Sequence, residues 1–460
     1  MSIEHSSKPI VITATAPTPN GALHVGHLSG PYIAADVAAR AERARGRQVM
    51  SVGGIDPNQN YVVAKAEREG RPTLDTLDDY SARVRDIFSA ARISYDLFVE
   101  PQHDPAYRDA VAALVSELVS SGAAVEREVA LLRCDACDRT QHHAYVAGTC
   151  PTCGAGSGGG TCEPCGSFVT AQTLVDAVCT GCGEPAREVS VRVPVLALEQ
   201  YRERLLETWT RASLPPRIRA LVGRYVAEGL PEIVLAYPTD WGIPVDGGDL
   251  RVDVWVEMGV GYLYAIARQL DPSVEATAGD CVAAWEALGE LWNFLGIDNA
   301  FYFSVMFPAL LLAFGIETVP PGGIVCNEFY TLDGAKFSTS RNHAIWADEF
   351  LASEDPEWVR LYLCWDRPDR YQSDFTLAGY RTFRDGIAEL LEGSTGSPLP
   401  AALAGQELDR AHDALRVGSF DAALAARCAL SAIDADPDGA RAVLELLASG
   451  DLRTAAAGRT

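Results

Sequence analysis

The stretch "PIVITATAPTPNGALHVGHLSGPYIAADVAARAERARGRQVMSVGGID", residues 9–56, decides the fold. Its first eight residues are a β-branched run, "NGALHVGHLSGPYIAADVAARAERARG" carries apolar residues at helical spacing, and "RQVMSVGGID" returns to strand character. A strand, a crossover helix and a second strand make a βαβ unit, and such units build parallel sheets. The joint between the first strand and the helix is "TAPTPNGALHVGH", residues 15–27. His24 and His27 stand three apart at the start of the helix and share one face of its first turn. Gly21 allows close backbone approach, Gly26 leaves room beside a ring, and exposed amides at a helix start favour phosphate. Two imidazoles placed there suit donation to phosphate oxygens during attack on an α-phosphate. Taken alone, the motif fits equally well a turn with two surface histidines.

A second motif, "GAKFSTSRNH", lies at residues 334–343. Lys336 is one of three lysines, with Lys8 and Lys65, in a chain that otherwise uses 35 arginines. A compact charge on a flexible stem suits moving phosphates. Ser338, Thr339 and Ser340 add hydroxyl donors, and Gly334 gives the loop freedom. A solvated polar loop is the plain reading of this stretch by itself.

Between the motifs, helical patterns run over 75–93 and 104–122, and a cysteine-rich block over 134–182 contains the linker-like "GAGSGGG". Eight of the twelve cysteines form four Cys-x-x-Cys pairs: Cys134/Cys137, Cys150/Cys153, Cys162/Cys165 and Cys179/Cys182. Each pair makes a tight knuckle with two thiolates, and tetrahedral zinc needs two knuckles. A nested arrangement closes Cys150, Cys153, Cys162 and Cys165 on one zinc and Cys134, Cys137, Cys179 and Cys182 on another. Four thiolates leave no open position, so one or two structural zinc ions are expected and a catalytic zinc is not.

The chain has 460 residues and a net charge of −24, enough for two to four packed domains but with no global attraction for a polyanion. The best basic run, "RAERARGR" at residues 40–47, reads as the solvated end of a helix. No apolar run reaches membrane-spanning length and the start lacks a secretory pattern, so the expectation is a cytoplasmic protein with no membrane partner.

Taken together, these features resemble the methionyl-tRNA synthetase family of class I aminoacyl-tRNA synthetases. Further collinear matches are "HDPAYRDAVAALVSELVSSGAAVERE", "GTCPTC", "TCEPCG", "DWGIPV", "VWVEMGVGY", "FLGIDNAFYFSVMFPALL" and "DPEWVRLYL", so the likeness covers roughly residues 8 to 378. The resemblance implies an α/β fold: a class I synthetase Rossmann-type parallel-sheet catalytic domain with a zinc-knuckle insertion and a short C-terminal helical segment. It divides the chain into catalytic halves at 1–125 and 213–330, an insertion at 126–212, a mobile signature loop and stem-contact-like region at 331–380, and a truncated helical segment at 381–460.

It also implies roles. Gly21, His24, His27, Lys336 and Thr339 bind ATP with its Mg2+, with His24, His27, Lys336 and Ser338 acting in catalysis, and Asp56 binds the α-ammonium of an amino acid. Trp255 and Tyr262 match pocket aromatics, with Ala16, Thr18, Asn299 and Phe303 as further pocket residues. There are departures. The loop's second lysine is Thr339, with Arg341 beside it as a candidate substitute. The residues following Asp56 are Asn58 and Gln59, and Ala16, Thr18, Met258, Gly259 and Phe303 replace family pocket residues. Such changes favour a side chain other than methionine.

The resemblance implies a ligase that forms an aminoacyl adenylate and pyrophosphate, then transfers the acyl group. The acceptor is tRNA, in protein biosynthesis, or a small amine or hydroxyl compound in an amide- or ester-forming reaction of specialised metabolism, such as a hydrazine pathway. A ligand-binding paralogue without catalysis is a third reading, for which Thr339 speaks. Residues 381–460 hold 8 Arg and 12 Asp/Glu and no Trp. Unpaired bases are read by stacking aromatics and basic side chains, so this segment favours the small acceptor.

Overall fold

The computed structural model describes residues 8–245, 247–337, 343–393, 399–450 and 452. Five parallel strands form the central sheet: β1 (Ile10–Ala14), β2 (Val49–Gly54), β3 (Leu97–Val99), β4 (Glu290–Gly296) and β5 (Gly322–Asn327), in the order β5-β4-β1-β2-β3. Every residue of β1 is buried. This is why it reads as an unbroken apolar run rather than an alternating one: helices cover both faces of a parallel sheet. Two separate apolar cores lie on the two faces, one containing Ile10 and Ile12 and the other Val11 and Val52.

The chain leaves β1 toward β2 on one side, and β4 returns to pair with β1 on the other. The carboxyl ends of β1 and β4 therefore flank a topological switch point, where open α/β sheets hold ligands. The crossover after β1 begins at Val25, with His24 still extended at φ −106°, ψ 167°. It is irregular over Leu28–Tyr32, where Pro31 has no amide hydrogen and Gly30 takes a ψ of −113°, then runs regularly over Ile33–Ala44.

The arginine run at the end of this helix is not simply solvated. Arg43 pairs with Asp96, Arg47 with Glu42 and Glu290, and Arg45 donates to the carbonyl of His412. It ties the crossover helix to the sheet and to the C-terminal helices.

The insertion leaves and re-enters the catalytic body through a long antiparallel ribbon, Val125–Cys134 against Arg187–Ala197. The set containing Cys134 and Cys179 sits at its far end, while the knuckle of Cys162 and Cys165 packs back on the catalytic body, where Thr161 donates to the Asp298 carbonyl. The glycine-rich stretch read as a linker instead packs as short strands Gly156–Gly158 and Gly160–Thr161. Gly159 is required by contact: a Cβ there would lie 2.6 Å from the backbone nitrogen of His143.

The C-terminal helices Ala401–Ala414, Ala422–Ala432 and Pro437–Ala448 bury alanine-rich faces in the same core as Ile10, the second and third capped at their starts by Asp421 and Asp436. Arg360, fully buried in helix Pro356–Trp365, joins them to the catalytic body. It pairs with Asp36 at 2.6 Å and donates to the carbonyls of Ala91 and Leu447. The tail beyond residue 452 lies outside the described residues. Among the described residues, no helix is long and apolar enough to cross a membrane.

Candidate active site and metal centres

A cleft of about 580 Å³ opens at the switch point. Of the residues expected there from sequence, Ala16, Thr18, Gly21, His24, His27, Asp56, Trp255, Asn299 and Lys336 line it. Tyr262 and Phe303 do not. They line a separate inner apolar cavity of about 70 Å³ with Gly259, Phe307 and Ile266, and the Tyr262 hydroxyl donates to the Ala14 carbonyl at 3.4 Å. Ser338, Thr339 and Arg341 lie outside the described residues.

Each histidine has a distinct setting. The backbone N–H of His24 donates to Nδ1 of His27 at 3.1 Å, which leaves Nε2 of the neutral His27 ring as its N–H donor. The His24 ring is sandwiched between His27, centroids 3.7 Å apart, and Phe337, 4.4 Å apart. A Cβ on Gly26 would come within 3.0 Å of the His24 ring, so the residue between the histidines has to be glycine or displace it. Burial brings His27 down to about 4, and burial followed by the neighbouring His27 holds His24 well below the usual imidazole range. Both rings are therefore neutral donors near pH 7, able to bond phosphate oxygens without a charge of their own.

In the same cleft Asp56 is 5% exposed and accepts from the Thr18 hydroxyl at 3.2 Å. Burial raises its carboxyl well above the usual range, the neighbouring Glu257 raises it further, and the Thr18 hydrogen bond opposes both. Glu257 itself is pushed up to about 7 by burial, against the donation it receives from the Asn58 amide at 2.8 and 2.9 Å. Asp56, kept from ionising by burial and by Glu257, which burial itself raises, forms a receptor for a cation whose charge would favour the ionised carboxylate.

Sequence reasoning missed Glu257, Asp298, Asn327 and Glu163. Glu257 had a signal, a single acid inside the apolar helix Val254–Leu270. Asp298 follows the end of β4 and lines the cleft, and burial, followed by Glu163, raises it to about 6. Asn327, at the end of β5, has a buried Oδ1 without a hydrogen-bond partner among the described residues. Lys336 forms an exposed ion pair with Glu163, which lies between Cys162 and Cys165, so the signature loop touches a metal knuckle. Nothing in the spacing of the two motifs announces that contact.

The cysteines assemble as two sets of four, Cys134, Cys137, Cys179 and Cys182, and Cys150, Cys153, Cys162 and Cys165, each with all sulfurs within 4.8 Å. This is the nested arrangement. Sulfur separations of 3.5 Å for Cys134–Cys182 and Cys153–Cys162, and 3.8 Å for Cys150–Cys165, are too long for a disulfide. They match the edge of about 3.8 Å that a tetrahedron of Zn–S bonds requires. Three knuckles end in a left-handed glycine, Gly154, Gly166 or Gly183, and the fourth in Asp138, also left-handed at φ 52°. Burial opposes ionising Cys179, but the amides of Cys182 and Gly181 outweigh it and bring the thiol to about 7. The donor sets fit zinc.

Residues 10–385 match the family model described as tRNA synthetases class I (M). The chain is 30% identical over 389 residues to the methionine–tRNA ligase of Pyrococcus furiosus, covering 81% of this chain and 53% of the relative. It is 31% identical over 406 residues to that of Thermococcus kodakarensis, covering 84% and 54%. The chain thus spans about half the length of these curated relatives. Its fold is similar to that of Mycobacterium tuberculosis methionyl-tRNA synthetase in complex with methionyl-adenylate, with a TM-score of 0.69 at 20% identity over 97% of this chain and 90% of that one. The switch-point cleft, the paired histidines and the knuckle-bearing insertion agree with these likenesses: the chain belongs to the class I tRNA synthetases of the M group.

Proposed function

We infer that this chain activates an amino acid with ATP, forming an aminoacyl adenylate and pyrophosphate, and then passes the acyl group to a nucleophile. The observation that carries this reading is one cleft lined both by the buried acid Asp56, with Glu257 near it, and by a neutral donor pair, His24 with His27. The first suits an α-ammonium and the second an α-phosphate. An amino acid held by its ammonium at Asp56 presents its carboxylate for in-line attack on the α-phosphate. The N–H donors of the histidines stabilise the charge that grows on the phosphoryl oxygens, and Lys336, released from Glu163, meets the departing pyrophosphate. Magnesium accompanies ATP, and zinc holds the two cysteine sets. The catalytic body is then the two halves 1–125 and 213–330, with 126–212 as the insertion, 331–380 as the signature region and 381–460 as a packed helical segment.

For the acceptor, a small amine or hydroxyl compound is favoured by the net charge of −4 over residues 381–460 and by arginines such as Arg410 and Arg416 that are spent on local acids. The likeness to methionine–tRNA ligases favours tRNA as the second reading. Amino-acid-dependent exchange of labelled pyrophosphate into ATP, across a panel of natural and modified amino acids, tests activation. Charging of tRNA by the exchange-positive amino acid would select the second acceptor, and absence of exchange with every member would overturn the reading.

A further inference from the structure

His143 comes from the insertion, lines the cleft, and is one of few non-glycine residues with a left-handed backbone, at φ 46°. Backbone held in that region concentrates at functional sites. Its Nε2 lies 2.7 Å from Oδ2 of Asp253, with both side chains under a tenth exposed. Asp253 cannot turn away, because its Oδ1 accepts the backbone N–H groups of Trp255 and Val256 at 3.0 and 3.3 Å and caps helix Val254–Leu270. A carboxylate fixed against one ring nitrogen sets the tautomer: Nε2 carries the proton and Nδ1 keeps a lone pair.

That lone pair packs close to Gly160, which also lines the cleft: a Cβ there would lie 3.0 Å from Nδ1 of His143 and 2.8 Å from the hydroxyl of Tyr302, so only a residue without a side chain leaves both atoms in place. The Tyr302 hydroxyl is buried and has no hydrogen-bond partner among the described residues. Its ring is stacked on Trp255 at 3.8 Å, which keeps it pointed there. A lone pair on a ring that lines the cleft, backed by an orphaned hydroxyl in a small inner cavity shared with His143, Gly160 and Asp253, suits a group that carries a proton to give up. The first half-reaction has none, because its nucleophile is already a carboxylate.

Resting on the adenylation reading, we propose that the His143–Asp253 dyad is the general base of the second half-reaction and that Gly160 and Tyr302 form the acceptor subsite, for an amine or hydroxyl nucleophile. Nδ1 takes the proton of the acceptor N–H or O–H as its nitrogen or oxygen bonds the acyl carbon. The bond between that carbon and the phosphate oxygen breaks, AMP leaves with the electron pair, and the imidazolium is held by Asp253 until water removes its proton. No oxidant or reductant enters.

The test uses the full chain and the amino acid identified by pyrophosphate exchange. Preformed enzyme-bound adenylate of the parent and of His143→Gln is chased with water alone, with ethanolamine, and with hydroxylamine, which attacks without a base. The expected result is a split. AMP release into water and ethanolamine falls on the order of 10²-fold, exchange changes by less than threefold, hydroxamate forms at the parent rate, and imidazole restores release in His143→Gly. Unchanged release into water and ethanolamine would overturn the proposal while leaving activation standing, as would a loss in exchange equal to the loss in release. No exchange by the parent with any amino acid would overturn both.

Discussion

The backbone N–H of His24 donates to Nδ1 of His27 at 3.1 Å, and this one contact fixes which proton the second histidine offers. With Nδ1 occupied as an acceptor, His27 presents Nε2–H, and burial keeps the ring neutral down to about pH 4. The donor is thus oriented and charged correctly before any phosphate arrives, the condition under which electrostatic stabilisation is most effective.

His27→Ala is therefore expected to lower the rate of pyrophosphate exchange by about 10² to 10³-fold, with the KM for the amino acid within about twofold of the parent. Steady-state exchange at varied amino acid checks it. Equal losses in rate and affinity would remove His27 from its assigned role.

Glu257, raised to about 7 by burial, predicts a pH dependence of amino-acid binding. A carboxyl with a raised value is protonated below pH 7 and charged above it, so the KM for the amino acid should fall as pH rises from 6 to 8. The change should be on the order of tenfold, the size of one added charge acting through partly screened protein. Glu257→Gln should flatten the profile. A profile that stays steep in the variant would assign the titration elsewhere.

Metal analysis should find two zinc ions per chain, and Cys162→Ser should remove one of them. Because knuckles of this kind fold around the ion, the variant and chelator-treated protein should lose several degrees of Tm. Full stability without zinc would contradict the tetrahedral reading of the sulfur spacing.

Arg360→Met leaves Asp36 buried with only Arg40 as its remaining ionic partner. Loss of one member of a buried pair should cost about 3–5 kcal/mol in denaturant unfolding, and the C-terminal helices should become the first segment to exchange amide hydrogens. A cost under about 1 kcal/mol would mean that the pair behaves as an exposed one.

Much of this molecule was legible in its sequence because local rules and tertiary demand agree. The apolar run of β1 reads as a buried parallel strand, and "HVGH" brings its two rings together, although His24 is the extended residue before the helix and the His24 N–H to His27 hydrogen bond closes the pair. The four knuckles themselves read plainly from Cys-x-x-Cys spacing, whereas which knuckles share a site is seen only in the fold, where they form two nested sets. Where only long-range contact decides, sequence was silent. Phe303 and Tyr262 line an inner cavity rather than the cleft, a placement that their spacing does not announce. Glu163 reaches Lys336 across 173 positions. The glycine-rich stretch looked like a linker because composition does not reveal that a backbone nitrogen and a tyrosine hydroxyl occupy the space where side chains would be.

The central claim is that a carboxylate of an amino acid attacks the α-phosphate of ATP in the cleft between Asp56 and His27. The most direct measurement supplies the exchange-positive amino acid with 18O in its carboxylate and analyses the AMP released after acyl transfer. The account predicts one 18O per AMP and pyrophosphate as the other nucleotide-derived product. AMP without label, or ADP and phosphate in place of AMP and pyrophosphate, would contradict it.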